Sequence, residues 1–293
     1  MAVVLVLALL SFWVLEFTKE VRLFQKEWGK EQDRKRAYQA ALSGLEYSLF
    51  LLNSQKGEAL DGSHRFGEGE FRYQVRNEEG KWDLNSLVDG DGNLIDHQAA
   101  GVARSLTLLG LDAEKVQIIH RLADWIDADL VARAQGGETG SYLGYDCRNV
   151  PMGSFSECWL LLDRDLRRAE LLRKACTIYS SGKINLNTAP AVVLGALSDQ
   201  MDESLVQAIL DYRSRSRFDS VETLQKIAGM TDRVYHEIED KLVDEGLYYS
   251  VWVEGKSGRT SIQVGAIVKK EENKLKLVWL KENLNEEDCF KWD

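Results

Sequence analysis

From Met1 to Leu15 the chain is an apolar run interrupted only by Ser11. Beyond it the apolar character narrows to a stripe. Phe17, Val21, Phe24 and Trp28 fall at i, i+4, i+7 and i+11, the spacing of one helical face. After a charged stretch from Lys30 to Arg36, apolar positions return at Ala37, Ala41, Leu45, Leu49 and Leu52. Gly29 and Gly44 are tolerable within so long a pattern. The periodicity predicts one helix over 1–54, bare in its first half and packed by one face in its second.

The period then changes to two. Phe71, Tyr73 and Val75 alternate with polar residues across Glu70–Arg76, and the far end of the chain adds Tyr248–Glu254, Thr260–Lys269 and Lys274–Lys281. Glu254–Gly258 and Glu271–Lys274 have the composition of hairpin turns. These strands predict one antiparallel sheet, split in sequence, whose inner face covers the long helix. The fold class is therefore α+β, with residues 55–84 giving the first part of the sheet and 246–293 its remaining strands and a tail.

Everything between is an insertion over 85–245, and it repeats itself. Gly80-Lys-Trp-Asp-Leu-Asn-Ser86 recurs as Gly182-Lys-Ile-Asn-Leu-Asn-Thr188. Each copy leads to a helical segment, Val116–Asp127 or Leu205–Arg213, then to a Phe/Ser turn, Gly153–Glu157 or Phe218–Glu222. Two related all-helical units, about 85–170 and 182–245, follow. Asn85 and Asn187 are placed to fix the turn into each unit by bonding backbone groups.

Each unit also carries a helical hairpin around one glycine, Leu109-Gly-Leu111 and Ala228-Gly-Met230. Such hairpin amides can hold a DNA phosphate. Here Asp112 and Glu114 follow the first glycine and Asp232 the second, and carboxylates repel a phosphate. The net charge of −10 points the same way, since nonspecific nucleic-acid binding rests on Lys and Arg. The hairpins are expected to be packing devices, with no nucleic acid and no small-molecule substrate as partner.

Chemistry concentrates in one place. Asp124-Trp-Ile-Asp127-Ala-Asp129 is followed by Gly136-Gly-Glu138, Tyr142 and Asn149. Calcium takes roughly six to eight oxygens from carboxylates, amides and carbonyls, often on a loop with glycines. Asp127, Asp129, Glu138 and Asn149 are the candidate ligands, against the competing reading of a solvated helix end and a polar loop. A second acidic stretch, Asp89–Asp96, begins like an EF-hand loop. It has Leu94 where the turn needs glycine and Ala100 where the bidentate glutamate belongs, so it is expected to be a surface turn. The four histidines lie apart and no catalytic motif is present, so an enzyme is not expected. Cys147, Cys158, Cys176 and Cys289 form no CxxC pair. In an oxidising compartment Cys147 and Cys158 are the most natural disulfide, with buried free thiols the equal alternative.

The apolar start, the Asp124–Asp129 segment, Gly137-Glu138 with Tyr142, Asn149-Val-Pro-Met152 leading to Ser156-Glu157, and Lys183–Ala189 resemble the K-type minor pseudopilin family of bacterial type II secretion. The likeness runs from residue 1 to about 268 and departs from the family run at Cys158. It implies a pilin-like fold with a large helical domain inserted in the sheet, calcium (Ca2+) in the loop of that domain, and methylation. It also implies a place at the tip of a short periplasmic pseudopilus. There the partners would be the I-type and J-type minor pseudopilins and the major pseudopilin. Before assembly the subunit would sit in the bacterial inner membrane as a single-pass protein.

The N-terminal run fits that resemblance. Fifteen residues reach only ~22 Å, short of the ~30 Å hydrocarbon core. No small-x-small pair suggests signal cleavage after it. A pilin-type helix, exposed when a basic leader is cut away, visits the bilayer and then joins a filament core; a plain anchor and an uncleaved signal are the other readings. Leu5, Val6 and Leu10 would be its membrane and assembly surface. Most pilin-like subunits carry a glutamate at mature position five, resembling a partner for a neighbour's N-terminal ammonium. This chain has Leu5, as suits a subunit with nothing stacked beyond it, provided residue 1 is the mature N-terminus. The main alternative is a minor pilin of a type IV pilus or competence filament whose hairpins contact DNA.

Overall fold

The computed structural model describes residues 1–54, 59–67, 69–142, 144, 146–271 and 274–282. Helix α1, Ala2–Ser54, is unbroken over 53 residues, about 80 Å. Up to residue 36 it stands almost bare; from Ala37 it turns one face to the rest of the protein. That face is built of small side chains, with Ala37, Ala40, Ala41 and Ser48 buried beside Leu45 and Leu52. They let the sheet come close. A Cβ on Gly255 would strike the backbone of Ala37 and Ala41, and one on Gly44 would lie 2.6 Å from Val253 Cγ1.

The sheet beneath α1 has five antiparallel strands. β1 (Ala59–Phe66) and β2 (Gly69–Asn77) form one hairpin. In the insertion follow β3 (Trp82–Asp83), helices α2 (Asp96–Leu108), α3 (Lys115–Ile126), α4 (Glu157–Leu161) and α5 (Leu166–Ala175), and β4 (Cys176–Thr177). Its second part holds β5 (Ile184–Asn185), α6 (Ala191–Gly195), α7 (Glu203–Arg215), α8 (Asp232–Ile238) and β6 (Leu242–Val243). The chain then re-enters the sheet as β7 (Tyr248–Ser257), β8 (Thr260–Glu271) and β9 (Lys274–Glu282), giving the order β1-β2-β7-β8-β9. Alternate residues Phe71, Tyr73, Val75, Val251, Val253, Ile262, Val264 and Ala266 fill the core under α1.

Three boundaries differ from the sequence expectation. Residues 254–257 stay paired in β7, so the turn is Gly258-Arg259, where Gly258 has φ +55°. At the next turn, Glu271 and Lys274 still pair and residues 272 and 273 lie outside the described ones, as do 283–293 of the tail. The sheet also ends at Asn77, and Trp82-Asp83 belongs to the insertion.

The repeat is carried into three dimensions. Each copy of the motif forms a two-residue parallel ladder with the end of its own unit, Trp82-Asp83 with Cys176-Thr177 and Ile184-Asn185 with Leu242-Val243. Each unit holds two helical hairpins, α2–α3 then α4–α5 in the first, α6–α7 then 221–226 with α8 in the second. The glycines paired by sequence therefore sit in different hairpins. Gly110 (φ +82°) follows α2, whereas Gly229 (φ +89°) precedes α8 and corresponds to Asp163 and Arg164, which take φ of 57° and 61° without glycine. Local glycine spacing could not show this, because a left-handed turn is occupied by glycine in one unit and by ordinary residues in the other.

Buried polar groups join the insertion to the sheet. Asn77 donates to Tyr248 O (3.2 Å) and accepts from Glu79 N (3.1 Å) and Asn185 Nδ2 (3.2 Å). The Glu79 carboxylate, fully buried, accepts the backbone N–H of Ser181 (2.6 Å) and of Leu247. One side chain thus ties the junction between the units and the chain leaving the second unit to the segment that enters the insertion, and such charge-assisted bonds are strong where water is absent.

Candidate metal centre

Helix α3 ends by aiming carboxylates at a loop. It carries Ile118, Ile119, Leu122, Ala123 and Trp125 into the core of the insertion, which fixes its last turn. Trp125 is held from both sides, by its indole N–H to Glu157 (2.8 Å) and by the ring of Tyr142 packed edge-on at 5.4 Å. Asp124 and Asp127 lie buried at the end of the helix, and the chain beyond it returns to them at Arg133 and Gly137.

The structure brings Asp127, Asp129 and Glu138 together, with one carboxylate oxygen of each within 4.8 Å of the others. Asn149, at φ 50°, donates through Nδ2 to Glu138 Oε2 (3.3 Å) and to Asp129 O. Three oxygens, Asp127 Oδ1, Glu138 Oε1 and Asn149 Oδ1, are buried and have no hydrogen-bond partner among the described residues. A buried carboxylate oxygen without a donor is costly. Burial pushes the Asp127 carboxyl above its usual range, with Asp129 and Asp124 adding to the shift and Arg133 opposing it. Burial likewise raises Glu138, again with help from Asp124 and Asp127. A divalent cation would relieve both. The donors are all oxygen, the set a hard cation such as calcium takes, and the nearby glycines allow the tight turns. The residues present fit the ion.

Two residues beside the candidate ligands organise the cluster: Asp124, which the sequence places in the same acidic segment, and Arg133, which it does not mark. Asp124 accepts from Arg133 N (3.0 Å) and Gly137 N (2.8 Å), so it organises the loop. Arg133 reaches Asp127 Oδ2 at 2.6 Å. The Asp89–Asp96 stretch holds a turn in which Asp89 accepts from Asp91 N (2.9 Å) and Asn93 N (2.8 Å). Its Gly92 lies against Asp127 and Asp129. Cys147 donates its thiol to Asp124 O (3.1 Å) and Cys158 packs on Met152, so both are free, as is Cys176; Cys289 lies outside the described residues.

Gly110 N and Leu111 N already donate to Thr107 O and Leu106 O, and Met230 N to Ile227 O. Lys115 is engaged by Asp112 (2.7 Å). On α1, Leu5 and Leu10 are 64% and 57% exposed, while the side chain of Val6 lies outside the described residues. The helix has no acidic residue in its first turn and is long and apolar enough to cross a membrane.

A long helix laid on an antiparallel sheet, with a helical domain spliced between two neighbouring strands, defines the pilin-like class. A chain of the crystal structure of the GspK–GspI–GspJ complex from the type 2 secretion system of enterotoxigenic Escherichia coli shares this fold. Its TM-score is 0.67 and its identity 17%, over 91% of this chain and 100% of that one. Models of type II secretion system protein K match residues 80–181 and 184–243. The chain belongs to that family, the K-type minor pseudopilins of type II secretion. No curated protein matches it by sequence.

Proposed function

We propose that this chain is the tip subunit of a type II secretion pseudopilus, which starts or caps the filament in concert with I-type and J-type minor pseudopilins above the major pseudopilin. The observation that carries the reading is the bare N-terminal half of α1, whose apolar side chains, Leu5 and Leu10 among them, stand exposed ahead of the head. Assembly would bury this surface against the helices of partner subunits, and before assembly a membrane covers it. In this reading the membrane is the bacterial inner membrane and the head lies in the periplasm. In the same reading the bulk of the helical insertion blocks further stacking.

Calcium has a structural part in this proposal. Asp127, Asp129, Glu138 and Asn149 would hold the ion and fix the loop 128–149 on the end of α3. In this reading the chain acts by shape and assembly. Copurification of the full-length chain with tagged I-type and J-type pseudopilins from detergent-solubilised membranes tests the assignment. Recovery of both is expected, and recovery of neither would refute it.

A further inference from the structure

Arg133 bonds Asp127 at Oδ2, the oxygen other than the unpartnered one. Its guanidinium bonds Asp124 Oδ1, Asp127 Oδ2 and Gly92 O, and its own backbone N–H bonds Asp124 Oδ2. With Gly137 N also on Oδ2, both oxygens of Asp124 are occupied, and the side chain is wholly buried. Asp127 is divided instead: Oδ2 belongs to Arg133, and Oδ1 is buried with no partner among the described residues. The same guanidinium holds the Asp89–Asn93 turn against the site through Gly92.

We propose that Arg133 is the positioning residue of this metal centre. It withholds Asp124 from the ion, presents Asp127 through one oxygen, and clamps the neighbouring turn in place. The inference rests on the calcium reading above. Two effects of removing Arg133 oppose each other. Loss of a positive charge near the cation favours binding, but that charge is already neutralised by two buried carboxylates at contact distance. Loss of the groups that orient a ligand typically lowers metal affinity by about 10- to 100-fold, and this effect dominates. Lysine supplies charge without the planar fork that reaches three acceptors at once.

The test is calcium titration by calorimetry and terbium luminescence lifetimes on the full-length chain in detergent micelles, with Arg133→Gln and Arg133→Lys. Arg133→Gln should weaken calcium binding at least about tenfold and change the number of waters on bound terbium, as Asp127, no longer held at Oδ2, becomes free to turn. Arg133→Lys should fall between the two and report on a folded protein. Wild-type affinity and an unchanged water count in both variants would overturn the role of Arg133 while leaving the calcium site standing, as would tighter binding. A wild-type chain that binds no calcium would overturn the site itself.

Discussion

The side chains of Asn85 and Asn187 make the same clamp in the two helical units. Asn85 accepts Met152 N (2.7 Å) and donates to Met152 O and Ile178 O; Asn187 accepts Phe218 N (2.8 Å) and donates to Phe218 O and Asp244 O. In each unit one amide thus joins the entering motif, the middle turn and the exiting strand. Neither alanine variant can replace these bonds, and each orphaned backbone group costs about 1–3 kcal/mol. Asn85→Ala should lower unfolding free energy by about 2–4 kcal/mol. Asn187→Ala should cost less, because Arg217 still donates to Asp244 O (2.8 Å). Urea denaturation checks the order, and losses below about 0.5 kcal/mol would show the clamps to be ornamental.

Asp83 and Asn185 occupy equivalent places, yet only one is ionisable. Each accepts the N–H two residues on, Asn85 N at 3.0 Å and Asn187 N at 2.9 Å. Burial pushes the Asp83 carboxyl up to about 6 from 3.8, against hydrogen bonds from Ser86 and Asn85 that lower it. The folded state therefore binds more protons than the unfolded one between these values. The stabilisation is complete below pH 3.8 and is lost as pH rises through about 6. Asp83→Asn should remove this slope and stabilise the protein by about 1–3 kcal/mol at pH 7. Denaturation at pH 5 and pH 7 measures it; equal slopes in variant and parent would refute the assignment.

These cases mark what the sequence makes legible. Helix α1, β2, β7, β8, β9 and the duplicated motif announce themselves because one side of each must be apolar or because the residues recur. Strand β1 does not, for Ala59–Phe66 is an edge strand whose Asp61, Gly62, Ser63 and His64 break the alternation. Within the site, the carboxylates are visible in sequence and their division of labour is not. Asp124 turns to the backbone amides of a loop nine and thirteen residues away, and Arg133 crosses to a turn that lies far upstream. Such partnerships are made by folding and leave no periodic signal.

Chelation tests the proposed ion. A ligand at about 100 times its dissociation constant stabilises by about 2.7 kcal/mol, and for a protein of this size a melting midpoint moves by roughly 2–4 °C per kcal/mol. Moving the full-length chain from millimolar calcium to EDTA should lower its Tm by about 5–10 °C. Asp127→Asn should show a much smaller difference between the two conditions. A parent curve unmoved by EDTA would eliminate the calcium site.

Assembly should fail when α1 is made polar. Leu10 is exposed on the bare part of the helix, and an aspartate there would have to be buried among partner helices or lipid, at a cost of several kcal/mol. Leu10→Asp and Val6→Asp should abolish copurification with the partner pseudopilins while leaving the far-UV circular dichroism unchanged. Undiminished recovery of the partners by such a variant would contradict the assembly surface.

The central claim is the position of this chain at the end of the filament. Immunogold labelling of an epitope tag fused after Asp293, on pseudopili assembled in cells from overproduced major pseudopilin, reads that position directly. The account predicts label confined to one end of each filament. Label distributed along the shaft, at spacings set by the subunit repeat, would contradict it.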